Sequence, residues 1–273
     1  MISCKFFGGM GNNLFQLATT YAIAKRNNFD LVLSKECDVR HTSKYYGQPD
    51  YLEIPTLLEN NFNYSDNVDF KDIYQHTDYT LQNWDYNEIT EIDETLYYGY
   101  FQSNRYFEDV DITNEFVLNQ KVIRDLKDTY SDLFNKRTIA LHYRLSGDRI
   151  ESRIQEYHKT VSKEYYEKAL DIIGYDEKND NVLVISDNIG LSKNILGNNN
   201  FIYIDNQKDI FKDFILMTLC DDNIVGNSTY SWWGAYLNKN KNKKVVTTKT
   251  EWFGPNYKHL NLDSAFPKEW ITL

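Results

Sequence analysis

From Thr138 onward, short apolar runs alternate with amphipathic segments, and few folds accommodate that pattern. Thr138-Ile-Ala-Leu-His-Tyr, Val182-Leu-Val-Ile, Phe201-Ile-Tyr-Ile, Ile224-Val225 and Val245-Val246 read as strands. Between them, helices are expected over 164–173, with Ser162 as cap, over a short run ending at Leu196, over 210–219, and after Asn227. Strands that are apolar along nearly their whole length are buried on both faces. The pattern therefore predicts a parallel sheet covered by helices on each side.

The amino-terminal end repeats the theme once. Residues 2–7 form a short strand, Gly8-Gly9-Met10-Gly11 a sharp turn, and Leu14, Leu17, Ala18, Tyr21 and Ala22 recur at helical spacing. A strand near Leu31 to Leu33 follows. The turn fails as a dinucleotide fingerprint, because Leu14 stands where the third glycine is needed, and it lacks the Lys-Ser or Lys-Thr of a phosphate-binding Walker loop. It still lets backbone approach a ligand at Gly9 and Gly11. Residues 38–95 show weak periodicity and predict no definite elements. The expected architecture is α/β, with two Rossmann-like halves spanning 1–125 and 126–273.

The formal net charge of −10 argues against a nucleic-acid partner, which favours a basic footprint. Cys4, Cys37 and Cys220 lie far apart with no C-x-x-C pairing, so they read as reduced thiols. No apolar stretch approaches the roughly 20 residues that span a bilayer. A cytoplasmic protein is the resulting expectation. The five histidines show neither H-x-x-x-H nor H-E-x-x-H spacing, and no metal site is expected.

In doubly wound sheets ligands gather at the carboxyl ends of strands. The polar residues that follow predicted strands there are His142, Arg144 and Asp148, then Ser186, Asp187 and Asn188, then Asn227, Ser228, Thr229 and Ser231. Arg144 suits a diphosphate, the helix start at Ser228 offers amide and hydroxyl donors, and Asp187 suits the N–H edge of guanine. Plainer roles exist for each: His142 as a core residue, Arg144 as a partner of Asp148, Asp187 as a cap. Asn227 or Ser228 equally suits a cap on a helix whose Trp232 and Trp233 pack inward.

Three stretches carry a resemblance. Gly8-Gly9-Met10-Gly11-Asn12-Asn13-Leu14-Phe15-Gln16 is similar to the G-G-x-G-N-Q-L-F-Q signature of the α-1,2-fucosyltransferase family, glycosyltransferase family 11, with Asn13 in place of Gln. Gly99-Tyr-Phe-Gln-Ser103 and Asn227-Ser-Thr-Tyr-Ser-Trp-Trp-Gly-Ala235 resemble two further motifs of that family. Its H-x-R-R-x-D motif is altered: Leu145 replaces the second arginine and Asp148 falls one position late.

The resemblance implies a GT-B-like fold with GDP-fucose held by the C-terminal half. It places His142 and Asp187 at guanine, Arg144 at the β-phosphate, and Ser186, Asn227, Ser228, Thr229 and Ser231 around the nucleotide, with Gly9, Gly11 and Asn12 approaching the phosphates. It implies inverting, metal-independent transfer to the 2-hydroxyl of a galactose-containing glycan, with Arg144, His142 and Asp148 as catalytic candidates. Related readings are transfer of another GDP-sugar or, in a different class, noncatalytic carbohydrate binding.

Overall fold

The computed structural model describes residues 1–34, 56–65, 68–76, 84–145, 155–206 and 209–273. The chain divides into two compact units, Met1–Val117 with Leu260–Pro267, and Leu118–His259 with Lys268–Leu273.

In the N-terminal unit, β1 (Ser3–Cys4) leads through the glycine turn into α1 (Met10–Asn27). The helix ends where Asn28 adopts the left-handed conformation at φ 55 and its N–H reaches the Ala24 carbonyl. β2 (Val32–Ser34) pairs in parallel with β3 (Asn63–Ser65), and β4 (Asp72–Gln75) and β5 (Thr95–Tyr98) join β1 in a parallel sheet of order β1-β5-β4. Leu14, Leu17, Ala18 and Ala22 of α1 are buried as the helical spacing predicts, Tyr21 is half-buried, and Phe15 and Ile23 join the core as well.

The second unit begins with α2 (Gln120–Thr129) and holds β6 (Arg137–Tyr143), α3 (Lys163–Ile173), β7 (Asp180–Ser186), α4 (Ile189–Leu196), β8 (Ile202–Tyr203), α5 (Ile210–Leu219), β9 (Asp222–Ile224), α6 (Thr229–Tyr236), β10 (Val245–Thr247) and β11 (Ile271–Thr272). Among the described residues its sheet has the order β11-β10-β9-β6-β7-β8, with every adjacent pair parallel. In chain order that is 3-2-1-4-5-6, the doubly wound arrangement. Ile139, Leu141, Val182, Val184, Ile224 and Val246 form the centre of a core capped by α3. Ser162 caps α3 as expected, its hydroxyl accepting from the Tyr165 N–H at 3.3 Å.

The domain division differs from the sequence expectation in two ways. The chain changes units at 117/118 rather than 125/126, because α2 packs against α5. Residues 260–267 also return to the N-terminal unit. The Ser264 carbonyl accepts from Ser103 Oγ at 2.5 Å, Ser264 Oγ bonds the Trp84 carbonyl and the Tyr86 N–H, and Phe266 stacks on Trp84. Asp221 follows α5 and Asp222 opens β9, where it meets Arg137 at 2.6 Å.

Candidate active site

The strand order of the second unit reverses between β6 and β9. In an open α/β sheet such a reversal opens a crevice at the carboxyl ends, since the connections leave in opposite directions. His142 and Arg144 lie at the end of β6 and Asn227 and Ser228 just beyond β9, so the topology brings these predicted residues to one place.

Three tyrosines bind the strand ends together. Tyr165 of α3 donates to the carbonyls of Val225 and Val246, at 2.7 and 3.1 Å, and Tyr166 donates to that of His142 at 2.9 Å. Tyr143 donates to the Val161 carbonyl. Burial raises Tyr165 and Tyr166 well above the ordinary phenol range. It pushes Tyr143 up to about 12, with the Glu251 charge adding to the effect. These hydroxyls therefore stay protonated and remain donors. Gly226 is required beside them: a Cβ there would lie 2.9 Å from Tyr166 Oη and 3.0 Å from the His142 carbonyl oxygen.

Helix α6 begins at this crevice. Its cap residue, Ser228, has extended backbone and makes no side-chain cap bond. Ser228 is 4% exposed, and its Oγ is buried without a hydrogen-bond partner. A buried hydroxyl in that state costs about 1–3 kcal/mol unless a ligand satisfies it. The first-turn N–H groups and the positive end of the helix dipole point the same way, toward an anion. Trp232 and Trp233 are fully buried and anchor the helix, and Trp232 also stacks on Tyr236. At the other end Lys243 donates to the carbonyls of Tyr236 and Asn238; burial lowers it to about 8.

The remaining predicted residues divide by what they touch. Half-buried Thr229 occupies the first turn of α6. Ser231 Oγ donates to the Ser228 carbonyl at 3.1 Å, leaving only acceptor capacity on that hydroxyl. Asn227 was expected to contact the nucleotide, but its Nδ2 donates to the carbonyls of Lys159, Glu251 and Trp252. It holds the loops following β6 and β10 to the start of α6, a scaffold role for its amide nitrogen that the sequence does not show. Glu251 extends this clamp by accepting from the N–H and hydroxyl of Ser162.

On the β6 side, His142 is buried, with its ring 5.4 Å from that of Tyr230, whose hydroxyl donates to the Ile210 carbonyl. Arg144 is half-buried at the first position after β6. Asp187 Oδ1 accepts from the Leu145 N–H at 2.7 Å and so fixes the backbone that carries Arg144. Ser186 Oγ accepts from the Asn188 N–H, and Asn188 caps α4. Asp148 lies outside the described residues.

Gly9, Gly11 and Asn12 belong to the N-terminal unit. Gly9 caps α1 without a side-chain bond, and Asn12 sits in the first turn. Asn13, the departure from the family signature, donates to the Phe7 carbonyl and to Gln16 Oε1, closing the turn. The sequence reading missed Tyr165 and Tyr166. Adjacent tyrosines in an amphipathic helix read as core aromatics, and their hydroxyl partners are carbonyls that carry no sequence signal.

A doubly wound unit whose switch point presents an arginine, a bare helix start and a buried unsatisfied hydroxyl, joined to a second α/β unit, is the framework of a GT-B-type glycosyltransferase. Residues 1–273 match the family model for glycosyl transferase family 11, and the chain belongs to that family. Among its relatives, the O-antigen biosynthesis glycosyltransferase WbnK of Escherichia coli is 27% identical over the full length of both chains. An α-1,2-colitosyltransferase of Escherichia coli is 25% identical over all of this chain and 99% of its own. Among solved structures, NodZ α-1,6-fucosyltransferase soaked with GDP-fucose shares the fold at a TM-score of 0.57 and 14% identity, covering 93% of this chain and 96% of that one. No described helix is long and apolar enough to cross a membrane.

Proposed function

We propose that this glycosyltransferase moves L-fucose from GDP-fucose to the 2-hydroxyl of a galactose-like acceptor, forming an α-1,2 linkage with inversion and without a divalent metal. The observation that carries the reading is the buried, unpartnered Ser228 Oγ at the bare start of α6, at the strand-order reversal of the sheet. A diphosphate supplies the acceptor that this hydroxyl and the first-turn N–H groups lack.

The chemistry follows from the leaving group. As the bond from the sugar to the diphosphate breaks, negative charge grows on GDP and the sugar becomes oxocarbenium-like. Arg144 and the α6 N-terminus neutralise the growing charge, and they are already in place before reaction. His142 and Asp187 border the base and nucleotide side. Asp187 also holds Arg144 at its station through the Leu145 N–H.

The relative named for α-1,2-colitosyl transfer supports the linkage and also a second reading, in which another sugar takes the place of fucose. Turnover of a panel of GDP-sugars against galactosides, with the product linkage determined, separates the two. Transfer from GDP-fucose to a galactoside O2 supports the first reading, and exclusive use of a different sugar or position replaces it. Transfer that stops with EDTA and resumes with manganese overturns the metal-independent route.

A further inference from the structure

Gln102 lies in the Gly-Tyr-Phe-Gln-Ser stretch, which the nucleotide site leaves unused. It is fully buried in the N-terminal unit, and its Nε2 donates to Asn12 Oδ1 at 2.9 Å, which sets its amide against the first turn of α1. Its Oε1 is buried and has no hydrogen-bond partner. The backbone on both sides is bent to make this meeting. Phe101, a buried aromatic residue, is held at φ 51, its ring packed on those of His76 and Tyr106. Gly8 adopts φ 77, where a Cβ would collide with the Asn12 amide. A bulky residue in the left-handed region persists only where its surroundings enforce it.

The α1 start to which Asn12 belongs also lacks a side-chain cap, its cap residue being Gly9, and no acidic residue sits in the first turn of this 18-residue helix. One ligand group must satisfy both halves. A cation is repelled by the positive end of the helix dipole. A fully ionised phosphate has no proton to offer the Oε1 lone pairs. A neutral hydroxyl donates to Oε1 and accepts from the helix N–H groups at once.

We propose that Gln102, Asn12 and the start of α1 form a second binding site, within the N-terminal unit, that takes a hydroxyl of a neutral sugar. The choice of a sugar rests on the transferase reading above. Its source is either the transferred sugar or the acceptor, and the two are separable by the probe used.

The test is thermal denaturation of the full chain with L-fucose, with methyl β-galactoside and with inorganic phosphate, for the wild type, Gln102→Met and Gln102→Glu. One of the two sugars is expected to raise the melting temperature of the wild type and of Gln102→Glu, which keeps an acceptor oxygen, and not that of Gln102→Met. Without sugar, Gln102→Met loses the unsatisfied oxygen but also the Nε2 bond to Asn12 Oδ1, so each variant's sugar response is read against its own unliganded melting temperature. The KM of Gln102→Met for the substrate bearing that sugar should rise about tenfold, the worth of one good hydrogen bond. Its affinity for GDP should stay unchanged. Response to L-fucose assigns the site to the donor sugar, and response to the galactoside assigns it to the acceptor. The proposal is overturned if no sugar stabilises the wild type, if Gln102→Met keeps the sugar response, or if phosphate stabilisation is what Gln102→Met loses. Failure of the wild type to turn over any GDP-sugar instead removes the transferase reading and leaves these melting measurements valid.

Discussion

The two ends of the second unit's sheet are built on opposite principles. At the amino ends, charges neutralise one another: Arg137 bonds Asp222 and Asp180 and also reaches the carbonyls of Ile173 and Gly174. Asp221 meanwhile accepts from the N–H and hydroxyl of Thr138. At the carboxyl ends the strands are tied by neutral tyrosine hydroxyls, and a buried serine hydroxyl is left without a partner. One end is complete without a ligand, and the other is not. Tying the strand ends with neutral hydroxyls adds no charge beside Arg144 and the helix start, and the two carboxylates nearby, Asp187 and Glu251, are engaged by the Leu145 N–H and by Ser162.

The largest expected effect belongs to the closed end. Arg137→Met leaves Asp180 and Asp222 buried without their cation and should cost about 3 kcal/mol or more in a denaturant titration. The folded fraction should still bind GDP with wild-type affinity. At the open end Arg144→Ala should lower donor turnover about 100- to 1,000-fold, with its unfolding midpoint close to that of the wild type. If instead Arg144→Ala unfolds the protein and keeps its activity, the contrast between the ends is wrong.

An intermediate effect tests a group apart from both ends. Asp213 of α5 is raised to about 6, chiefly by burial, while Asn206 donates to it and Asp209 and Asp205 add like charge. A folded pKa above the unfolded value means that ionisation destabilises the fold, so its contribution is full below about 4 and is lost as pH rises through about 6. The gain in melting temperature from Asp213→Asn should accordingly be largest near pH 7.5 and shrink as pH falls below about 6, and a gain independent of pH would contradict that origin.

The smallest effect sharpens the comparison most. Ser228→Ala should weaken GDP binding about five- to tenfold and leave stability unchanged or slightly raised, because the deleted hydroxyl has no partner in the unliganded protein. A measurable loss of stability would make Ser228 a cap after all.

Much of this was legible in the residues. The alternation after Thr138 carried the doubly wound sheet, and the rule that ligands gather at strand ends brought Arg144 and Ser228 together before any coordinates. What stayed hidden depends on main-chain partners. Asn227 reads as a polar residue beside a phosphate site, but its amide faces three carbonyls contributed by segments 68, 24 and 25 residues away. Carbonyls are present at every position, so no pattern singles those out. The return of 260–267 to the first unit rests on Ser264 and Phe266, two ordinary residues in a stretch without periodicity.

The Asn227 clamp sets a rule for how the enzyme can vary. The segment after β6 and the segment after β10 are joined by paired main-chain bonds, Gly254 N–H to the Tyr157 carbonyl and Asn256 N–H to that of Glu156. Gly254 is pressed so close to Gln155 and Glu156 that any side chain there would collide with their backbone. Because one amide group fastens both segments to the same helix start, neither 155–159 nor 251–256 can lengthen, shorten or shift register alone. Diversification of this rim therefore has to proceed in matched pairs of changes, and a loop graft from a relative should succeed when both strips are exchanged and fail when one is.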